Sequence, residues 1–240
     1  MNEKIVVCIP TYNERENLPL IVKRLFAANP TVNALIIDDG SPDGTGDLAD
    51  AMAADDPRIA VLHRTEKAGL GAAYRAGFAK AIAEGASAIV ELDADGSHQP
   101  EQLPLLLAKL PEADLVLGSR WVRGGAVRNW PLHRKLLSVG GNTYARLMLR
   151  VPVRDITGGY RVFRVSTLQA IDYANVTTTG YVFQVDMAYR VLNAGLKVVE
   201  VPIEFVEREL GASKMSQRIV LEAMEQVTIW GIKSRLGRAH

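Results

Sequence analysis

Val90-Glu-Leu-Asp-Ala-Asp-Gly-Ser97 is a run of strand-forming residues that stops at two carboxylates and turns at Gly96. Side chains two residues apart leave an extended backbone on the same face, so Asp93 and Asp95 can act together. Two such close carboxylates repel unless a cation sits between them, and hard oxygen donors suit Mg2+ or Mn2+. The pair therefore reads as a place where a divalent ion is held against a diphosphate. Asp and Gly also make ordinary surface turns, so the weight of this reading rests on the rest of the chain.

On the amino-terminal side, strands alternate with helices. Lys4–Ile9, Ala34–Asp38, Ile59–His63, Ala88–Leu92 and Leu115–Leu117 are short runs rich in Val, Ile and Leu, as expected of strands buried on both faces. Leu18–Ala28, Thr45–Ala54, Gly71–Glu84 and Glu101–Leu110 show helical spacing between them. Such alternation implies right-handed crossovers and an open, mostly parallel α/β sheet, whose ligands bind beyond the carboxyl ends of the strands. Thr11, Asn13 and Glu14, then Asp38 and Asp39, then Asp93 and Asp95, follow three separate strands and so converge on one edge.

After Ser119 the pattern changes. Leu132, Leu136, Leu137, Gly140, Tyr144 and Met148 recur at helical intervals, with Arg134, Lys135, Arg146 and Arg150 around them. Gly159–Phe163 reads as a strand, Gln184–Asn193 as a helix, and Leu196–Val206 as an extended segment broken by Pro202. A last amphipathic helix carries Ile219, Val220, Ala223, Val227 and Trp230 on one stripe. No repeat, linker or low-complexity tract divides the 240 residues, so the expectation is one domain, 1–240, with a nucleotide-sugar half (1–119) and an acceptor half (120–240).

Composition narrows the function classes. Hydrophobic content of 48% and charged content of 23% suit an ordinary globular protein. The single cysteine, Cys8, lies in an apolar run and reads as a small buried hydrophobe. The run after Lys4 is too short for a signal peptide, and no apolar stretch approaches the ~20 residues of a spanning helix, so a cytoplasmic protein is expected. The net charge of +1 hides an asymmetry: residues 120–164 hold 10 Lys/Arg against one acid, Asp155, whereas residues 1–119 hold 10 against 18. Such a basic segment calls for an anionic partner. Gly69-Leu-Gly71-Ala-Ala-Tyr74 lacks the third glycine of a dinucleotide fingerprint, and no Walker lysine occurs, which argues against a nicotinamide enzyme. No nucleic-acid motif accompanies the basic segment, so a nucleic-acid partner is not expected.

Pro10-Thr-Tyr-Asn-Glu14, Asp38-Asp-Gly-Ser-Pro-Asp-Gly-Thr45, Asp93-Ala-Asp95, Gly118-Ser-Arg120, Thr157-Gly-Gly-Tyr-Arg161, Tyr181-Val-Phe-Gln184 and Gly211-Ala-Ser-Lys-Met215 follow one another in order. Together they resemble the dolichyl- and polyprenyl-phosphate mannose synthases, inverting glycosyltransferases of family 2 with a GT-A (Rossmann-like) fold. The resemblance spans nearly the whole chain. It implies that Pro10, Tyr12, Glu14, Ile37 and Asp39 line the guanosine pocket of GDP-mannose. Asp93, Ala94 and Asp95 would meet ribose, diphosphate and metal, with Asp93, Asp95 and Ser97 as metal ligands for Mg2+ or Mn2+. Some relatives carry Gln in place of Ser97, which leaves a water-mediated contact open. Arg120, Arg208 and Lys214 would contact the donor, and Arg134 and Lys135 would receive the acceptor phosphate. The catalytic set expected is Asp95, Arg120 and Arg134.

Elementary chemistry agrees with that allocation. A lipid monophosphate is largely dianionic at neutral pH, its second pKa being ~6, so it needs no general base. The obstacle is repulsion: two unit charges ~5 Å apart cost ~3 kcal/mol at an effective dielectric of ~20. A divalent ion with Arg120, Arg208 and Lys214 would lower it. His98, beside the acidic motif, reads as structural, hydrogen-bonding near the metal loop. Asp155 either neutralises an arginine or faces the sugar. Tyr160 and Arg161 are expected on the acceptor side, Phe183 and Met187 in the core. The implied activity is transfer of mannose from GDP-mannose to dolichyl or polyprenyl phosphate by a protein resting peripherally on the cytoplasmic membrane face through its amphipathic helices. A membrane-embedded partner protein is compatible with this. The alternatives are a UDP-sugar glucosyl- or N-acetylglucosaminyltransferase, and a non-catalytic protein that binds nucleotide sugar or anionic lipid.

Overall fold

In the computed structural model, which describes residues 3–66, 68–178, 180–207 and 217–236, Val6 and Cys8 face one side of a sheet, and Val7 and Ile9 the other. All four are buried, as the two-residue period of a doubly covered strand requires. They belong to β1 (Ile5–Thr11), which is followed by α1 (Leu18–Ala28), β2 (Asn33–Asp38), α2 (Thr45–Asp55), β3 (Ile59–His63), α3 (Leu70–Ala83) and β4 (Ala88–Glu91). α1 and α2 cover the Val7 and Ile9 face, and α3 covers the other. Where α3 crosses the sheet, a Cβ at Gly77 would stand 2.3 Å from Ile37 Cδ1, so only glycine allows that approach.

Residues after Ser119 complete the same sheet. β5 (Leu115–Ser119), β7 (Arg161–Arg164) and β8 (Val198–Pro202) join it in the order β3-β2-β1-β4-β7-β5-β8. β7 runs antiparallel to both neighbours, while the remaining pairings are parallel. The sheet is thus open and mostly parallel, as expected. The order reverses at β1, which pairs with β2 on one side and β4 on the other, and such a switch point opens a crevice at the strands' carboxyl ends.

The expected helix over 101–110 is interrupted. Proline recurs at Pro100, Pro104 and Pro111, and each lacks an amide proton. The chain answers with a 3-10 turn at Pro100–Gln102, a short α4 (Leu103–Leu107) and a second 3-10 turn at Leu110–Glu112. The extended segment ending at Val206 splits at Ile203 into β8 and β9 (Glu204–Val206), and β9 pairs in parallel with β6 (Ala126–Arg128) in a second, two-stranded sheet. β6 had no clear sequence signal.

α5 (Leu132–Leu149) and α8 (Gln217–Arg235) are the two expected amphipathic helices; α6 (Val165–Ala170) and α7 (Gly180–Asn193) lie between them in sequence. α5 and α8 pack on each other, with the Tyr144 hydroxyl 2.5 Å from Thr228 Oγ1. A Cβ at Gly231 would fall 2.7 Å from the Met148 carbonyl oxygen, so the crossing depends on glycine there. Ala145, Leu149, Val227 and Trp230 join the core beneath, with Phe183 and Met187 of α7 also buried as expected. The outer surface is different: Leu132, Leu136 and Leu147 of α5 and Leu221 of α8 are each more than 60% exposed. No helix among the described residues is long and apolar enough to cross a membrane.

Candidate active site

A cleft of about 390 Å3 opens at the switch point. Pro10 near the end of β1 and Tyr12 and Glu14 beyond it reach into it, Asp39 follows β2, and Asp93, Ala94 and Asp95 follow β4. Arg120, beyond β5, and Trp130 and Arg134 form the facing wall. Between α5 and α8 the cleft continues as an apolar channel lined by Leu137, Ala145, Ala223, Met224 and Val227. The acidic strand ends and the arginine-bearing segment therefore share one cavity.

Local turns fix the acidic rim. Ser97 donates to Asp95 Oδ1 from its amide at 3.0 Å and its hydroxyl at 2.6 Å, closing a turn through Gly96 at φ 74°. Asp93 and Asp95 line the cleft together although the backbone turns between them rather than running extended. Ser97 is buried in the cleft lining and donates its hydroxyl proton to Asp95, so it braces that carboxylate. Asp38 receives the Ser41 amide at 3.0 Å and hydroxyl at 2.5 Å, and Asp43 receives the Thr45 amide at 3.0 Å in the turn that leads into α2. Of the acids after β2, Asp39 alone lines the cleft, where Arg64 Nη1 lies 2.5 Å from its Oδ1.

Distant partners fix the basic wall. Arg120 makes a two-pronged pair with Asp155, Nε to Oδ2 at 2.8 Å and Nη2 to Oδ1 at 2.7 Å, and Nη2 also donates to Thr157 Oγ1 at 3.0 Å. Asp155 thus neutralises an arginine. Burial works to raise its carboxyl, but the Arg120 guanidinium holds it below the ordinary carboxylate range. Arg134 pairs with Glu207, and its guanidinium carbon lies 4.2 Å from the centre of the Trp130 ring. Arg120 stands 5.5 Å from the same ring, so one indole spans both cations. Neither Trp130 Nε1 nor Arg134 Nε has a hydrogen-bond partner among the described residues.

Some expected residues lie elsewhere. Ile37 is fully buried against Gly77 on the α3 side of the sheet and does not reach the cleft, because the register of β2 turns it away. Lys135 is exposed on α5 and outside the cleft lining, one position round the helix from Arg134. Tyr160 and Arg161 were expected on the acceptor side, but both are fully buried. Arg161 donates to the carbonyls of Ile156 and Gly158 at 2.7 Å and of Gln184 at 2.6 Å, pinning backbone beneath the site. Burial lowers its pKa to about 10 and raises that of Glu91, 3.9 Å away, to about 7, with Arg161 and the Gln184 amide acting to lower the latter. Arg208, Lys214 and the motif around Gly211 lie outside the described residues.

Residues to which sequence reasoning assigned no catalytic or binding role also line the cleft. His98 stands in the cleft wall with Nδ1 3.6 Å from Asp93 Oδ2, and burial lowers its pKa to about 4, keeping it neutral. Trp130, Thr157, Gly159 and Gln184 line the cavity as well. Gln184 carried two signals: it closes the motif Tyr181-Val-Phe-Gln184, and it is a polar residue inside the apolar run Val182–Val185.

Known proteins place this architecture. Residues 6–172 match the model of glycosyl transferase family 2. Over 239 residues the chain is 56% identical to the polyprenol monophosphomannose synthase of Mycolicibacterium smegmatis, covering 99% of this chain and 90% of that one. It is 55% identical to the undecaprenyl-phosphate mannosyltransferase of Micrococcus luteus, covering 97% and 96%. Among solved structures, it aligns with the mannosyltransferase PcManGT from Pyrobaculum calidifontis, in complex with GDP-Man and Mn2+, at TM-score 0.65 and 16% identity, covering 100% of this chain and 66% of that one. It aligns with the glucosyl-3-phosphoglycerate synthase of M. tuberculosis at 0.64 and 18%, covering 100% and 82%. At those identities the likeness to the solved structures is one of fold, and that fold is GT-A. The chain belongs to glycosyl transferase family 2 and is a glycosyltransferase.

Proposed function

We propose that the protein transfers mannose from GDP-mannose to a polyprenyl or dolichyl phosphate, inverting the anomeric centre. The observation that carries this reading is the layout of one cavity: carboxylates at the strand ends, an arginine pair bridged by Trp130, then an apolar channel between α5 and α8. A sugar diphosphate suits the first part, a phosphate the second and a prenyl chain the third. The names borne by the two relatives above 50% identity support the same acceptor and sugar.

A divalent cation fits the acidic rim. Among the described residues no cluster of three acidic, histidine or cysteine ligands is present, whereas Asp93 and Asp95 share the cleft. A pair of carboxylates suits Mg2+ or Mn2+ that takes its other oxygens from diphosphate and water. When bound, such an ion would offset the charge of the departing nucleoside diphosphate. Asp93 and Asp95 would hold it, with Ser97 keeping Asp95 in place. Tyr12 supplies a flat face for the base, and Glu14 and Asp39 supply acceptors for its polar edge and the ribose. Arg134 receives the acceptor phosphate in exchange for Glu207, because a dianion outbids a single carboxylate for a guanidinium. A phosphate oxygen then bonds to the anomeric carbon as the bond to the diphosphate oxygen breaks, releasing GDP. The nucleophile carries no proton, so a neutral, buried His98 suffices nearby.

The exposed leucines of α5 and α8, among basic residues, support peripheral binding at the cytoplasmic membrane face, where each basic group contributes ~1 kcal/mol. The test is entry of radiolabelled mannose into the organic phase, with and without polyprenyl phosphate, beside parallel reactions with UDP-glucose and UDP-N-acetylglucosamine. Mannose transfer that requires polyprenyl phosphate and stops with EDTA is the expected result. Transfer from a UDP-sugar alone would replace the donor, and undiminished transfer in EDTA would remove the metal.

A further inference from the structure

Gly159 has no steric reason to be glycine. Its φ is not in the left-handed region, and a Cβ built on it would meet His98 Cε1 at 3.5 Å, and Asp93 Oδ2 and Gln184 Nε2 at 3.9 Å, all ordinary contacts. Its neighbour differs: a Cβ on Gly158 would press to 3.0 Å from the Gly118 carbonyl oxygen. What the missing side chain leaves at Gly159 is room, in the cleft wall between a carboxylate, an imidazole and an amide.

That amide is unusual. Gln184 is 2% exposed, and beyond its contact with the buried Glu91 carboxyl neither its Nε2 nor its Oε1 meets a hydrogen-bond partner among the described residues. Each polar atom of a buried amide left unmet costs on the order of 1–3 kcal/mol. Nothing about α7 demands a glutamine at this place, for Phe183 and Val185 beside it are core residues. Arg161 fixes the geometry from below, holding the Gln184 carbonyl on one side and the Gly158 carbonyl on the other. His98 Nδ1 is likewise buried without a hydrogen-bond partner among the described residues.

We propose that the niche over Gly159 seats the hydroxyls of the donor hexose, and that Gln184 reads a neighbouring pair of them. An amide offers one donor and one acceptor side by side, which is what two adjacent hydroxyls can satisfy together. Asp93 accepts from the same sugar edge. The proposal rests on the nucleotide-hexose reading above and deepens it by naming the residue that distinguishes one hexose from another.

The test compares the full-length wild type with Gln184→Leu and Gly159→Ala, using GDP, GDP-mannose and GDP-glucose, whose sugars are epimers at C2. GDP affinity by calorimetry should match across the three proteins, since the nucleotide lies outside the niche. Mannose transfer should fall about tenfold or more in both variants, the loss expected when a buried polar contact is left unmade. In Gln184→Leu the preference for GDP-mannose over GDP-glucose in kcat/KM should also shrink toward one. Wild-type transfer in Gly159→Ala, or an unchanged preference in Gln184→Leu, would overturn the proposal. Failure of the proposed function reads differently, because the wild type itself would then move no mannose. The two variants would in that case be judged on the nucleotide hexose that the wild type does use, and its transfer must fall in the same way.

Discussion

The two walls of the cleft are held by different means. At the acidic strand ends short-range turns dominate: Ser97 holds Asp95, and behind the wall Ser41 holds Asp38 and Thr45 holds Asp43, while Asp39 is met by Arg64 from the end of β3. On the basic wall the partners are far off in sequence, Asp155 lying 35 residues from Arg120 and Glu207 lying 73 from Arg134. The acidic wall is therefore built largely by turn chemistry on strand ends, with Asp39 completed once β3 brings Arg64 beside it. The basic wall exists only once four separate segments have met. Its charge is also largely spoken for, so it presents less net positive potential than ten basic residues in 45 positions suggest.

That contrast can be broken at its strongest point first. Asp95→Ala removes a carboxylate that a short turn to Ser97 presents to the cleft, so the fold should survive while mannosyl transfer falls about a thousandfold, as expected where charge stabilisation of several kcal/mol is lost. Circular dichroism together with the radiolabel assay checks it, and melting of the protein would mean that Asp95 is structural. Asp155→Ala should behave in the opposite manner. It strands the buried Arg120 cation and should lower the unfolding free energy by about 3–5 kcal/mol in urea titrations. Replacing Arg120 and Asp155 together by Met and Leu should restore most of that loss.

The same pair has a pH signature. The Asp155 carboxyl is held below its ordinary 3.8 in the folded protein. Its stabilisation is accordingly full at neutral pH and is lost as pH drops below that value toward the depressed one. Acid unfolding of the wild type should be steeper in this window than that of Asp155→Asn.

Smaller effects sharpen the comparison. Trp130→Ala leaves both arginines present but removes the ring between them, worth ~0.5–2 kcal/mol, so KM for polyprenyl phosphate should rise about 3- to 30-fold with little change for the donor. Equal changes for both substrates would deny the indole its place on the acceptor side. Smallest of all, Ile37→Val should cost ~0.5–1.5 kcal/mol of stability and leave the donor KM unchanged. A raised donor KM would restore Ile37 to the nucleotide pocket.

What could be read in the chain follows the same division. β1 to β4, α1 and the acids at strand ends were legible, because two-residue alternation and Asp-Gly turn chemistry are local properties. Family resemblance carried the allocation further, to Arg120 and Arg134, but it placed Ile37 in a pocket that its strand register denies it. Nothing local distinguishes Lys135 from Arg134, and only the turn of α5 separates them. β7 was legible as a strand but not as an antiparallel one, since direction depends on which neighbours claim it. The role of Asp155 was open in sequence because its partner is chosen by the way β5 and the 154–158 loop come together. Gln184 and Gly159 were visible as residues, yet the space between them is a property of the folded chain alone.

The position of β7 has a consequence for how the molecule is made. β4 and β5 are neighbours in sequence but not in space, because β7 lies between them. A ribosome that has delivered residues only as far as Ser119 has made two strands with a strand-wide gap between them, each showing unpaired backbone to any passing edge. The acidic wall can be assembled by then, but the sheet beneath it cannot close until Arg164 has emerged, and β8 not until Pro202. Biogenesis of this enzyme is thus a race between late-arriving strands and foreign ones, and the first 119 residues are a poor candidate for expression on their own.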